Sequence, residues 1–266
     1  MDYAPVDARG FVKVDALANL LRPDTTLVSV MAVNNEIGSI QPIHDIAALL
    51  EDRPTVSFHV DAVQALAKVA AEVYLPERVD FATFSSHKFH GLRGVGFVYI
   101  KEGKKITPLL TGGGQEKEMR STTENVAGIA ATAKALRLAM ENQEAFASKT
   151  QQMKEVIRQE LANYPDVTIF SGEDHFAPHI LTFGIKGVRG EVVVHAFEEF
   201  DIYISTTSAC SSKAGKPAGT LIAMGVDKSI AQTAVRLSLD LENDMSQVEQ
   251  FLTKFKLIYE QTRKVR

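Results

Sequence analysis

The sequence predicts an α/β fold: a mixed, mostly parallel sheet with helices on both faces, followed by a smaller α+β part. Three observations carry that prediction. Apolar, β-branched runs alternate with helical periodicity through the first two-thirds of the chain. Beyond about residue 142 the character changes to a charged helix, short strands and a final amphipathic helix. Polar and small residues gather just past three of the apolar runs, where open α/β sheets hold their ligands.

Each element follows from its own residues. Residues 1–7 (MDYAPVD) read as a strand, and residues 26–33 (TLVSVMAV) as a buried one, mostly apolar and rich in valine. A turn follows at Asn34, Asn35, Glu36, Ile37 and Gly38. Residues 43–50 (IHDIAALL) carry helical periodicity, 56–60 (VSFHV) form the next strand, and 62–70 read as a helix. Further strands are 81–84 (FATF) and 94–100 (GVGFVYI), and a long helix starts near Asn125. The later part holds a charged helix over 148–163, strands over 179–183 and 201–204, and a helix over 191–199 between them. Residues 234–241 (AVRLSLDL) alternate apolar and polar, as a half-buried strand does, and a last helix spans 245–262. The expected boundary lies near 141, dividing 1–141 from 142–266.

Composition narrows the function classes. The chain has 266 residues, 45% hydrophobic and 23% charged, which excludes a disordered tail, a collagen-like chain and a coiled coil. Its formal net charge of −4 supplies no positive field for nucleic acid or an anionic membrane. No apolar run approaches the roughly 18 residues of a membrane helix, and the start shows no basic or apolar leader segment. One cysteine makes no internal disulfide, which suits a reducing cytoplasm.

Several residues then stand out. Asn35, Asp61 with Gln64, and Ser85, Ser86, His87 and Lys88 each follow an apolar strand, and three such clusters on successive strands converge on one crevice. Lys88 is either a surface loop lysine or, partly desolvated past a buried strand, a Schiff-base nucleophile. His87 is a hydrogen-bonding loop residue or a ligand contact. Asp61 caps the helix that follows, pairs with a protonated ring nitrogen, or does both. Gly112, Gly113 and Gly114 form either a flexible turn or a phosphate-binding loop, and Thr122 and Thr123 cap a helix or bind an anion. Cys210 sits among Ser, Lys and Gly residues, a composition of mobile exposed loops, and is either inert, as most free cysteines are, or reactive, with Lys213 and Lys216 favouring its thiolate. Arg236 lies on the polar phase of its strand and either clasps a carboxylate bidentately or makes a surface ion pair.

Taken together these segments resemble the cysteine desulfurases of the NifS/IscS type, among the class V aminotransferase-like enzymes that use pyridoxal 5′-phosphate (PLP). The resemblance is carried by VSVMAVNNEIGSIQPI, FHVDAVQALAKV (58–69), DFATFSSHKFHGLRGVGFVYI (80–100), GGGQEKEMRSTTEN (112–125), STTSACSSK (205–213) and AVRLSL (234–239). These stretches span most of the chain in the family's order.

The resemblance implies the fold of fold-type I PLP-dependent transferases, with a PLP-binding large domain and a small domain carrying the cysteine loop. It implies conversion of L-cysteine to L-alanine with sulfur passed to a protein cysteine as a persulfide. A selenocysteine lyase, another class V lyase, or a remnant that only dimerises or binds an acceptor protein are the alternatives. Lys88 would hold PLP, Asp61 would pair with its ring nitrogen, Gln64 would bond its phenolic oxygen, and Asn35 would touch the ring edge and substrate. Ser85 and His87 would bind the phosphate, and Thr123 the phosphate in the partner subunit of a homodimer. Arg236 would clasp the substrate carboxylate, Cys210 would accept the sulfur, and an acceptor protein would take it on. No metal is implied. The family is longer at the N-terminus, where a Gly-Thr phosphate loop and a ring-stacking histidine are expected. Thr122, Thr207 and Asp240 stand where the family often has glycine.

Overall fold

The computed structural model describes residues 1–207 and 219–264. In chain order the elements are α1 (Val14–Leu20), β1 (Leu27–Met31), α2 (Ile43–Leu49), β2 (Ser57–Asp61), α3 (Ala71–Tyr74), β3 (Phe81–Ser85), β4 (Gly96–Ile100), α4 (Val126–Glu141) and α5 (Gln143–Leu161). They continue with β5 (Val167–Ile169), β6 (Ile180–Ile185), α6 (Gly190–Glu198), β7 (Ser205–Thr206), α7 (Gly219–Ala223), α8 (Lys228–Ala231), β8 (Ala234–Ser238) and α9 (Met245–Lys264). Contacts divide the chain into two compact units. One holds Arg22–Ala32 and Ile43–Gln143, and the other holds Met1–Leu21, Val33–Pro42 and Glu144–Arg266. The sequence reading has one boundary near 141, whereas here the residues around the 34–38 turn group with the C-terminal part.

In the first unit β1, β2 and β3 run parallel, and β4 closes the edge antiparallel to β3. This is the mixed, mostly parallel sheet the alternation predicts. The strands alternate rather than being buried throughout: Val28, Phe58, Val60 and Ala82 are buried, while Leu27 and Met31 of β1 are exposed, so the strand expected as buried over 26–33 covers one face only. Each large apolar side chain buried this way contributes about 1.5–3 kcal/mol. Parallel pairing with Met31 opposite Asp61 and Asp61 opposite Thr83 brings the carboxyl ends of the three strands side by side.

In the second unit four antiparallel strands stand in the order β5-β6-β8-β7. β6 is buried at every position. An aromatic cluster joins it to α6 and α9. Phe183 meets Phe255 edge-on at 5.7 Å, and Phe197 stacks on Phe251 at 4.9 Å. A second cluster gathers Ile37, Phe170, Phe176, Leu221, Ala231 and Ala234.

Three expectations are corrected. Residues 62–70 are a run of turns, not a helix. Helical bonds from Leu66 to Ala62 and from Val69 to Ala65 alternate with shorter three-residue bonds. Ala67 takes φ 60°, which a right-handed helix cannot absorb. Residues 201–204 form no strand. Asp201 takes φ 57°, and the Asp201 and Ile202 amides donate back to Glu198 and Phe197, closing the end of α6. Residues 1–7 form no strand either, and only a single bridge joins Val6 to Val12. The short elements α3, β5, α7 and α8 are too brief for periodicity to reveal, and α1, though as long as α2, goes unread in the sequence.

Candidate functional site

At the carboxyl end of β3 the chain enters a 3-10 turn, Ser86–Phe89, that presents His87 and Lys88. The turn is anchored by Ser86, which is fully buried with its Oγ 2.9 Å from Thr132 Oγ1 of α4. Thr132 in turn donates to the Gly128 carbonyl at 2.8 Å. His90 ends the turn at φ 65°, and the Gly91 amide donates to the Ser86 carbonyl. A Cβ on Gly91 would lie 1.8 Å from Ser86 Oγ, so only glycine lets the chain fold back so closely. Ser86 and Phe89 are buried, Ser85 and Lys88 half-buried, and His87 exposed. Packing thus holds the turn while leaving the Lys88 and His87 side chains reachable.

Asp61 ends the neighbouring strand β2. Its carboxylate is half-buried and accepts the Val63 amide at 3.0 Å, closing a local turn rather than capping the expected helix, which does not form. Gln64 lies half-buried in the turns that follow. Thr123 is exposed, two residues before the Asn125 side chain caps α4 by accepting the Gly128 amide. Gly114, in the glycine run, donates to Ser121 Oγ at 3.4 Å.

Two polar residues not singled out in the sequence adjoin these positions. His59 lies two residues before Asp61 and therefore on the same face of β2. Its Nδ1 is 2.7 Å from Ser29 Oγ of β1 and its Nε2 3.1 Å from Thr83 Oγ1 of β3, so one imidazole bridges three strands. Burial holds His59 below the ordinary histidine value, and the charge of Asp61 partly opposes this. The signal was an imidazole inside the mostly apolar run VSFHV.

The second is Glu36, in the other unit. Asn34 Oδ1 accepts the Glu36 and Ile37 amides, both at 2.9 Å, which shapes the 34–38 turn. Gly38 closes it at φ 84°. Arg236, at the centre of β8, donates from Nη1 to the Asn35 carbonyl at 2.8 Å. The Glu36 carboxylate accepts the Thr220 amide at 3.2 Å, and Asn34 Nδ2 donates to Thr220 Oγ1 at 3.1 Å. Burial raises the Glu36 pKa above the ordinary carboxylate range, offset in part by the Thr220 bonds and the Arg236 charge. So Asp61, Gln64, Ser85, His87, Lys88 and Thr123 belong to one unit, and Asn35 and Arg236 to the other. Cys210, with Lys213 and Lys216, lies outside the described residues.

The donor set fits PLP in the first unit. A half-buried carboxylate at one strand end retains acceptor capacity for a protonated ring nitrogen. A half-buried amine and two hydrogen-bonding side chains, Ser85 and His87, stand at the end of the neighbouring strand. Residues 1–251 match the family described as aminotransferase class-V. A protein of Lactobacillus delbrueckii subsp. bulgaricus named "NifS/IcsS protein homolog" is 50% identical over 98% of this chain and 68% of its own length. A "Cysteine desulfurase IscS" of Clostridium botulinum is 38% identical over 99% of this chain and 66% of its own length. A solved structure titled "NIFS-LIKE PROTEIN" superposes with TM-score 0.89 at 38% identity, over 97% of this chain and 68% of that one. The chain thus spans about two-thirds of the length of the relatives it matches.

Proposed function

The chain belongs to the aminotransferase class-V family, and on that premise we propose that it supplies the catalytic residues of a PLP-dependent cysteine desulfurase. The observation that carries the reading is the pairing of the Asp61 carboxylate with the buried-anchored Ser85–Lys88 turn at adjacent strand ends. When bound there, PLP would act as an electron sink for the substrate Cα. Lys88 would hold the cofactor and take the Cα proton, Asp61 would keep the ring nitrogen protonated, and Gln64 would bond the phenolic oxygen. Ser85 and His87 would bind the phosphate, as Thr123 would in the partner subunit. Asn35 and Arg236 would bind the L-cysteine carboxylate. Cys210 thiolate would attack the substrate sulfur: its S–S bond forms as the substrate C–S bond breaks, and L-alanine leaves. Residues 1–141 would form the cofactor domain and 142–266 the part that carries Cys210.

A homodimer, a cytoplasmic location and a sulfur-acceptor protein belong to the same proposal. No helix among the described residues is long and apolar enough to cross a membrane. Phe97, Val98 and Tyr99 of β4 and Val126 and Ile129 of α4 are exposed, apolar surface of the kind that subunit contacts cover.

One pair of variants tests the reading. Borohydride reduction of the PLP-loaded protein should fix the pyridoxyl group to the peptide containing Lys88, and Lys88→Ala should abolish that label. Cys210→Ala should keep both the label and the visible absorbance but release no alanine from cysteine. Labelling of another lysine, or full alanine release by Cys210→Ala, would sink the assignment.

A further inference from the structure

The strand-end turn of the first unit has an evident anchor in Ser86. The carboxylate clasp of the second unit needs one too, because a guanidinium on a long side chain gains specificity only when its plane is held. Arg236 Nη1 reads the Asn35 carbonyl at 2.8 Å, so the guanidinium direction follows the peptide that joins Asn35 to Glu36. Glu36, at the end of that peptide, is itself held at two points, its carbonyl and its carboxylate. Thr182 Oγ1, on the strand beside Arg236, donates to the Glu36 carbonyl at 2.5 Å. The Glu36 carboxylate accepts the Thr220 amide at 3.2 Å, while Asn34 Nδ2 holds the same threonine's hydroxyl oxygen at 3.1 Å. The Asn34 side chain in turn accepts the Glu36 amide at 2.9 Å. A half-buried acid at this point is costly to place without a use for its charge, and the Arg236 charge acts on it.

We propose that Glu36 is a positioning residue of the carboxylate clasp: by fixing the 35–36 peptide, it sets the direction in which Arg236 presents its guanidinium. The inference rests on the proposed role of Arg236 in binding the substrate carboxylate. Glu36 itself touches neither substrate nor cofactor in this role. The loss of one hydrogen bond to a charged acceptor corresponds to about tenfold in binding, and the effect should appear in KM rather than kcat.

The experiment has two readouts. The first is the NMR signal of the Arg236 guanidinium in the protein without substrate, assigned by its loss in Arg236→Lys. The second is steady-state kinetics of the PLP-loaded protein with L-cysteine. Glu36→Ala should speed exchange and rotation of the Arg236 guanidinium and raise KM about tenfold, with kcat and the cofactor absorbance unchanged. Glu36→Gln should recover most of both, since its amide oxygen still accepts the Thr220 amide. If Glu36→Ala does not fold, Thr182→Val removes the hold on the adjoining 36–37 peptide at constant shape and should shift both readouts in the same direction. An unchanged KM, or an effect confined to kcat or to melting temperature, overturns the proposal. If Arg236→Ala also leaves KM unchanged, the clasp reading itself has failed, and that outcome is separable because it does not involve Glu36.

Discussion

Two aspartates stand at opposite ends of the β1–β4 sheet and are handled in opposite ways. Asp80, just before β3 at the amino end of that strand, is 2% exposed. It accepts the Phe58 amide and Arg78 Nη1, each at 2.8 Å, and Lys104 Nζ at 3.0 Å. Arg78 spends its remaining donors on the Leu50, Arg53 and Val56 carbonyls. Asp80, Arg78 and Lys104 thus form one internally partnered network. Asp61, at the carboxyl end of β2, is half-buried and accepts one backbone amide. A carboxylate saturated from within can only hold the fold, whereas one with spare acceptor capacity at a strand end is free to take a ligand. The two acids differ less in being buried than in how many internal donors each accepts.

The comparison can be broken in three ways. The largest effect belongs to Asp80→Ala, which strands Arg78 and Lys104 without their carboxylate. Urea unfolding should show a loss of about 3–5 kcal/mol. A loss below about 1 kcal/mol, typical of an exposed pair, would mean that the amino-end network is ornamental.

Asp61→Asn should do the reverse. Its amide oxygen still accepts the Val63 amide, so stability should change by less than about 1 kcal/mol. PLP affinity, followed by absorbance titration, should nonetheless fall at least about tenfold with the loss of a charge-assisted partner. If Asp61→Asn unfolds the protein while retaining PLP, the roles assigned to the two ends are exchanged.

The smallest effect is in the pH dependence. Burial alone would raise the Asp80 pKa, but the Phe58 amide, Lys104 and Arg78 outweigh it, and the carboxyl sits below its ordinary value of 3.8. With the folded value depressed, the stabilisation is present above the unfolded value and is lost as the pH falls through the folded one. Acid titration of stability in Asp80→Asn should therefore be flatter than in the parent below about pH 4. A parallel decline in both proteins would show that other acids dominate.

Much of this molecule is legible in the order of its residues. Strand runs such as VSFHV and FATF, and the helices from Val126 and from Met245, declare themselves because burying an apolar face demands a repeating pattern. The Asp61 and Ser85–Lys88 positions follow directly, since parallel strands place their carboxyl ends together. The run of turns over 62–70 was illegible because its spacing is helical, and only the left-handed Ala67 interrupts it. The assignment of residues 33–42 to the C-terminal unit was hidden as well. Its bonds join Glu36 to Thr182 and Thr220 and Asn35 to Arg236, partners 146 to 201 positions apart. Local pattern records which face of an element is apolar. Which distant carbonyl a guanidinium meets depends on how the chain closes over that separation, and no periodicity in the intervening residues encodes it.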